Sequence, residues 1–170
     1  SVVDAISLGY RLIDTAQGYG NEEHIGRAIA RCGVPREELF ITTKVWFRNY
    51  GNTRVSVEES MRKLQTDYLD LVLLHWPFGD TYAAWRVLEE LYAEGKIRAI
   101  GVSNYTADRL VDLVNYNKVV PAVNQVETNL VSQQKDVRTW MDKLGVQHMG
   151  YAPFGQGKIN EIYDDQVLQY

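Results

Sequence analysis

Six short apolar runs in this 170-residue sequence end against polar side chains whose types could do chemistry together. Asp14 follows the first run, Lys44 the second, His75 the third, and Ser103 with Asn104 the fourth; Gln125 closes the fifth and Tyr151 follows the sixth. Taken singly, Asp14 could cap a loop, Lys44 could be a solvated strand end, and His75 a hydrogen-bonded core residue. Repetition is the stronger signal, because a polar group buried at a strand end costs free energy unless it is partnered, and a lysine costs most. Asp14 beside Lys44 would compensate the ammonium, and that positive charge would stabilise the phenolate left when Tyr19 gives up its proton. Tyr19 is therefore a candidate general acid. The His75 imidazole could donate a hydrogen bond to a carbonyl oxygen and stabilise the negative charge developing there. The set suits carbonyl reduction. Cys, His and carboxylate residues do not cluster at metal-ligand spacing, so no metal site is expected.

The elements that must position these residues alternate. Apolar runs occupy 10–13, 39–43, 69–74, 97–102, 122–125 and 146–150, and helix candidates occupy 3–8, 22–30, 55–64, 82–94, 108–116 and 132–144, with another start after Asp164. Units recur every 23 to 31 residues, the size of one strand plus one return helix. Gly33-Val34-Pro35 stops the second helix, and Gly95 and Gly145 fall where helices ending at Glu94 and Leu144 need a residue tolerant of positive φ. Trp85, Leu88, Leu91 and Tyr92 share one helix face, expected against the sheet.

Short parallel units admit a doubly wound sheet or a closed barrel. Gly18-Tyr19-Gly20 lacks the Gly-x-Gly-x-x-Gly spacing of a dinucleotide loop, which favours the barrel. A (β/α)8 TIM barrel has eight strands in about 250 residues. Six are countable here, so the fold class expected is α/β, an incomplete TIM barrel, with residues 1–170 as a single domain.

Composition narrows the partners. With 45% hydrophobic and 24% charged residues the chain can build one core, and its net charge of −4 argues against nucleic acid or an anionic membrane. The single cysteine, Cys32, cannot form an intrachain disulfide and is read as inert. No stretch reads as a leader peptide or a membrane span, so a cytoplasmic protein acting on a small molecule is expected. Asp4 and Glu58-Glu59 read as solvated helix faces.

Several motifs carry a resemblance in order and spacing. Ile13-Asp14-Thr15-Ala16 precedes Tyr19 and Asn21-Glu22; then come Ile41-Thr42-Thr43-Lys44-Val45-Trp46, Leu73-Leu74-His75-Trp76-Pro77, Gly101-Val102-Ser103-Asn104 and Asn124-Gln125-Val126-Glu127. Together these resemble the aldo-keto reductases. The stretches around Pro77-Phe78-Gly79-Asp80 and Ala152-Pro153-Phe154 look like the bacterial small-carbonyl and diketo-gluconate reductases of that family. The resemblance implies that Asp14, Tyr19, Lys44 and His75 are catalytic. It further implies that Ser103, Asn104 and Gln125 hold a nicotinamide carboxamide, that Tyr151 stacks on its ring, and that Trp46 and Trp76 line the substrate pocket. The implied cofactor is NADPH, its hydride passing to an aldehyde or ketone while Tyr19 protonates the oxygen.

Glu127-Thr128-Asn129-Leu130 departs from the family, which more commonly carries His-Pro there. By resemblance, an N-terminal strand region would precede Ser1, and the last strand, last helices and the loop gripping the adenosine phosphate would follow Tyr170. Two other readings compete. Lys44 could form a Schiff base in a lyase, although Asp14 would favour its charged form, or the chain could be a non-catalytic barrel fragment or scaffold.

Overall fold

The computed structural model describes residues 2–157. Within them, six strands alternate with six α-helices in the expected order: α1 (Val2–Ser7), β1 (Leu12–Asp14), α2 (Glu22–Ala30), β2 (Phe40–Val45), α3 (Thr53–Leu64), β3 (Leu71–Leu74), α4 (Thr81–Ala93), β4 (Ile100–Ser103), α5 (Ala107–Tyr116), β5 (Val123–Glu127), α6 (Lys135–Leu144) and β6 (Gln147–Tyr151). All neighbouring strands pair in parallel, in the sequential order β1 to β6. The helix expected after Asp164 lies outside the described residues.

The sheet curls. In a flat sheet, side chains on β1 and β5 would be separated by four strand spacings, about 19 Å. Instead the Gln125 side-chain amide reaches Asp14 at 3.4 Å, although the two residues are 111 positions apart. The described strands form an unclosed half-barrel, an incomplete TIM-type fold with the polar strand ends gathered on its concave side.

Strand periodicity sorts the side chains. On β2, Thr43 faces the helices, where its hydroxyl donates to the buried Glu22 carboxylate of α2 at 2.6 Å, while Lys44 faces inward to Asp14. Ile41, Val45, Val72, Leu74 and Val102 pack on the helix side with Val57, Trp85, Leu88, Leu91 and Leu110 in one continuous core. Burying these side chains contributes roughly 1.5–3 kcal/mol each, before the entropy of ordering them is deducted.

Several boundaries differ from the sequence reading. Tyr10 precedes β1 and is exposed, because the chain leaves α1 through Gly9 before entering the sheet. Asp14 and Lys44 lie within their strands rather than beyond them, and Gln125 sits mid-strand. Tyr92 does not join the buried face of α4: it is 43% exposed, while Trp85, Leu88 and Leu91 are fully enclosed. Helix α6 starts at Lys135 rather than Ser132, because Asn129 holds the backbone N–H groups of Val131 and Ser132 in a turn and Gln134 adopts φ 54°. Gly95 and Gly145 do take positive φ, 76° and 69°, where α4 and α6 end.

The end of the half-barrel away from the strand C-termini carries its own polar cluster. The buried Asp70 carboxylate accepts from Arg36 at 2.8 Å, Arg98 at 3.0 Å and the Ile41 N–H at 2.9 Å. Both guanidinium groups also stand 4.0 Å from the centre of the Tyr68 ring. This arrangement locks the starts of β2, β3 and β4, and by its position serves stability rather than chemistry.

Candidate active site

A cavity of about 370 Å³ opens at the C-terminal ends of the strands, and Asp14, Tyr19, His75, Asn104, Gln125 and Tyr151 are in its wall. These residues come from five strands or the turns that follow them, which is what a curled parallel sheet does with groups far apart in sequence.

Lys44 lies beneath this wall with its side chain 1% exposed. Its ammonium donates to the Asp14 carboxylate at 2.7 Å, to the Thr15 carbonyl at 2.9 Å and to the Tyr19 hydroxyl at 3.5 Å. Three acceptors replace the water lost on burial, which accounts for a charged lysine inside the sheet. Tyr19 stands on a 3-10 turn, Gln17–Tyr19, closed by Gly20 at φ 66°, and its ring is 53% exposed toward the cavity.

His75 follows β3 and is buried, with its ring edge-on to Tyr19 at 5.7 Å between centroids. Burial, reinforced by the Lys44 charge, pushes its pKa down to about 4, so the imidazole is neutral near neutral pH. Its Nδ1 is enclosed and has no partner among the described residues. A neutral imidazole in this place can donate one hydrogen bond without bringing a competing charge.

The remaining wall is a connected polar platform. Ser103 Oγ donates to the Gln125 carbonyl at 2.8 Å, and Asn104 Nδ2 donates to the His75 carbonyl and to Ser103 Oγ, both at 3.1 Å. Tyr151 Oη donates to Asn104 Oδ1 at 2.8 Å; burial, Glu127 and Tyr19 raise its pKa and keep that phenol protonated. Asn104 and the next-door Ala152 hold left-handed backbone, φ 62° and 50°, a strained state for Ala in particular. Gln125 is tethered more loosely, by a 3.4 Å contact to Asp14 and a 3.3 Å contact to the Met149 thioether. A flat phenol beside a weakly engaged primary amide is chemically suited to a planar ring bearing a carboxamide, which Gln125 and Asn104 could hydrogen-bond and Tyr151 could stack on.

The two tryptophans separate. Trp76 is in the cavity wall, stacked with His75 at 6.0 Å and with Phe78 at 5.6 Å. Trp46 is not in that wall; it packs edge-on to His75 at 5.3 Å and against Phe47 at 4.7 Å. Sequence reasoning missed Tyr50, whose buried hydroxyl donates to the Trp76 carbonyl at 2.6 Å and accepts from the Trp76 N–H at 3.2 Å, fixing that backbone. It missed the Thr15 carbonyl too, since a main-chain acceptor leaves no mark in residue identity. Among the described residues, no group of three His, Cys, Asp or Glu side chains could hold a metal ion, and no helix is long and apolar enough to cross a membrane.

The chain as a whole is similar to known proteins. The family description "Aldo/keto reductase family" matches residues 1–167. Glyoxal reductase of Bacillus subtilis (strain 168) is 47% identical over 171 residues, covering 99% of this chain and 61% of that protein. Methylglyoxal reductase DkgA of Escherichia coli (strain K12) is 39% identical over 172 residues, covering 99% and 62% respectively. Of solved structures, MGS-M4, an aldo-keto reductase enzyme from a Medee basin deep-sea metagenome library, aligns with TM-score 0.94 at 40% identity over 98% of this chain and 62% of its own. A Bombyx mori aldo-keto reductase solved in complex with NADP aligns with TM-score 0.87 at 37% identity over 91% of this chain and 55% of its own. The chain thus spans 61–62% of the length of these curated relatives. A family match over nearly its whole length means that the chain belongs to the aldo/keto reductase family.

Proposed function

We propose that this chain carries the reducing centre of an NADPH-dependent aldo-keto reductase that converts a small aldehyde or ketone into an alcohol in the cytoplasm. The observation that carries the reading is Lys44, buried beneath the cavity wall and touching both Asp14 and Tyr19, which share that wall with His75 and Tyr151. Relatives named for glyoxal and methylglyoxal reduction support a small carbonyl substrate, and the NADP-bound relative supports the cofactor. Residues 1–170 act in this reading as a single domain.

A nicotinamide held beside Tyr151, Asn104 and Gln125 would supply, when bound, a hydride for the carbonyl carbon. Tyr19 Oη transfers its proton to the carbonyl oxygen, so the C=O bond becomes C–OH and the phenol becomes phenolate. Lys44 stabilises that phenolate, and Asp14 keeps the ammonium in place. His75, neutral, donates a hydrogen bond to the same oxygen and turns the carbonyl toward Tyr19. Ser103, Asn104 and Gln125 would hold the carboxamide and Tyr151 would cover one ring face; Trp76 supplies the apolar side of the substrate pocket, with Trp46 behind it, edge-on to His75.

Loss of reduced-nicotinamide absorbance on adding methylglyoxal to the purified protein tests the proposal. Borohydride trapping of substrate on Lys44 would favour a Schiff-base lyase instead, a reaction that the Asp14 ion pair opposes. A protein that neither binds NADPH nor turns over would be a scaffold.

A further inference from the structure

Gln17 opens the 3-10 turn that carries Tyr19, and its amide uses all of its hydrogen-bonding capacity. Nε2 donates to the Ser56 carbonyl at 3.0 Å and to Ser60 Oγ at 3.1 Å, both on α3. Oε1 accepts from the Trp46 N–H at 3.0 Å and from Asn49 Nδ2 at 2.9 Å, both in the segment that follows β2. One side chain therefore joins three separate pieces of structure: the Tyr19 turn, the Trp46 segment and α3.

The next residue completes the contact. A Cβ on Gly18 would stand 2.9 Å from Trp46 Cε3 and 3.2 Å from Cζ3, so only a glycine lets the indole rest on the turn. From there the indole meets His75 edge-on, and His75 in turn meets Tyr19. His75 thus links Trp46 to Tyr19 on one side, and on the other the Gln17 amide ties the Trp46 backbone directly to the turn that carries Tyr19.

We infer that Gln17 is a positioning residue for carbonyl reduction, fixing the proton donor on Tyr19 relative to Trp46 and His75, with Gly18 leaving the space that this register requires. The inference rests on the reductase reading of the cavity. Gln17 touches neither substrate nor cofactor in that reading; it acts through the two rings it aligns.

Gln17→Met keeps the length and removes all four hydrogen bonds, whereas Gln17→Glu keeps the acceptor that holds Trp46 and Asn49. Misplacing a reacting group by about 1 Å can cost roughly 100-fold, so Gln17→Met should lower single-turnover hydride transfer by roughly 10- to 100-fold, with Gln17→Glu recovering part of it. Fluorine NMR of fluorotryptophan-labelled protein supplies a readout independent of turnover, with one resonance for each of four tryptophans and Trp46 assigned through Trp46→Phe. In Gln17→Met the Trp46 resonance should shift or broaden while that of Trp85, enclosed in the α4 core, stays put. Gly18→Ala should move the Trp46 resonance with the Gln17 amide intact, and it serves if Gln17→Met fails to fold. An unmoved Trp46 resonance with transfer within twofold of the parent overturns the inference, as does a change that reaches Trp85 equally, which would mark Gln17 as a general stability residue. A parent protein without turnover would remove the reductase reading, and the Trp46 resonance alone would then decide whether Gln17 holds the indole.

Discussion

The Lys44 ammonium and the Asp14 carboxylate meet at 2.7 Å with unequal exposure, 1% for the lysine side chain and 30% for the aspartate. The two halves of this pair should therefore respond differently to removal. Asp14→Asn leaves an enclosed cation without its counter-charge; breaking a buried pair costs about 3–5 kcal/mol, and the partial exposure here reduces the expected loss to about 2–3 kcal/mol. Lys44→Met fills the same space with an apolar side chain and leaves the carboxylate near water, so it should cost less than about 1.5 kcal/mol while still abolishing most hydride transfer. Urea denaturation of both variants checks the order, and a larger loss for Lys44→Met than for Asp14→Asn would refute it.

Tyr19→Phe should leave fold and cofactor affinity intact, because Tyr19 is half exposed and, among the described residues, its hydroxyl makes one long contact, to Lys44. Reduction should fall by roughly 10²–10⁴-fold, the usual consequence of losing a general acid. Single-turnover transfer in the purified variant, with folding checked by circular dichroism, makes the comparison. Near-normal transfer would pass the acid role to His75 or a water.

How far the sequence carried this picture depends on which physics each residue obeys. The alternation of apolar runs and amphipathic stretches revealed the parallel units, because strand and helix periods differ and are written in residue type. Asp14, Lys44, His75, Asn104 and Tyr151 were legible for a related reason: each breaks an apolar run at its end. Gln17 and Tyr50 were not, since each acts through partners 26 to 43 positions away that no local pattern names. Tyr92 misled because helical spacing gives the direction of a side chain without saying how far the neighbouring layer extends.

The neutral state of His75 has a pH signature. Its folded pKa of about 4 lies below the ordinary imidazole value of 6.5, so between those limits the unfolded chain binds the extra proton and stability rises with pH. This contribution is complete above about 6.5 and is lost as pH falls toward 4. Proton NMR should therefore show the His75 ring resonance titrating near pH 4, and His75→Asn should flatten the acid limb of the stability curve. A His75 midpoint near 6.5 would contradict the burial argument.

Asp70 offers a control at the other end of the half-barrel. Asp70→Ala would remove the carboxylate that neutralises Arg36, whose bonds to Thr66 Oγ1 and the Leu39 and Tyr68 carbonyls would remain, and would leave the Ile41 N–H without its acceptor; it should destabilise by roughly 3 kcal/mol. The cavity is built at the opposite strand ends, so hydride transfer per folded molecule should stay within a factor of about two. A selective loss of transfer at unchanged stability would mean that this cluster communicates with the site.

Tyr151 joins two functions that substitution can separate. Its hydroxyl donates to Asn104 Oδ1 at 2.8 Å, and its ring forms the flat part of the cavity wall. Tyr151→Phe keeps the ring and frees Asn104 Oδ1, which a carboxamide N–H could then satisfy, so nicotinamide affinity should change by less than about threefold, or about 0.7 kcal/mol. Tyr151→Ala removes the platform and should weaken binding by roughly 1–3 kcal/mol, by analogy with base stacking on aromatic side chains. Because Asn104 sits at φ 62° and is held by Tyr151, its left-handed turn should also loosen in the Ala variant, adding hydrogen exchange at the Asn104 N–H that the Phe variant also shows if the hydroxyl alone holds the turn. Fluorescence titration with NADPH separates the cases. Equal weakening in both variants would assign the affinity to the Tyr151–Asn104 hydrogen bond, and unchanged affinity in the Ala variant would remove Tyr151 from the cofactor site.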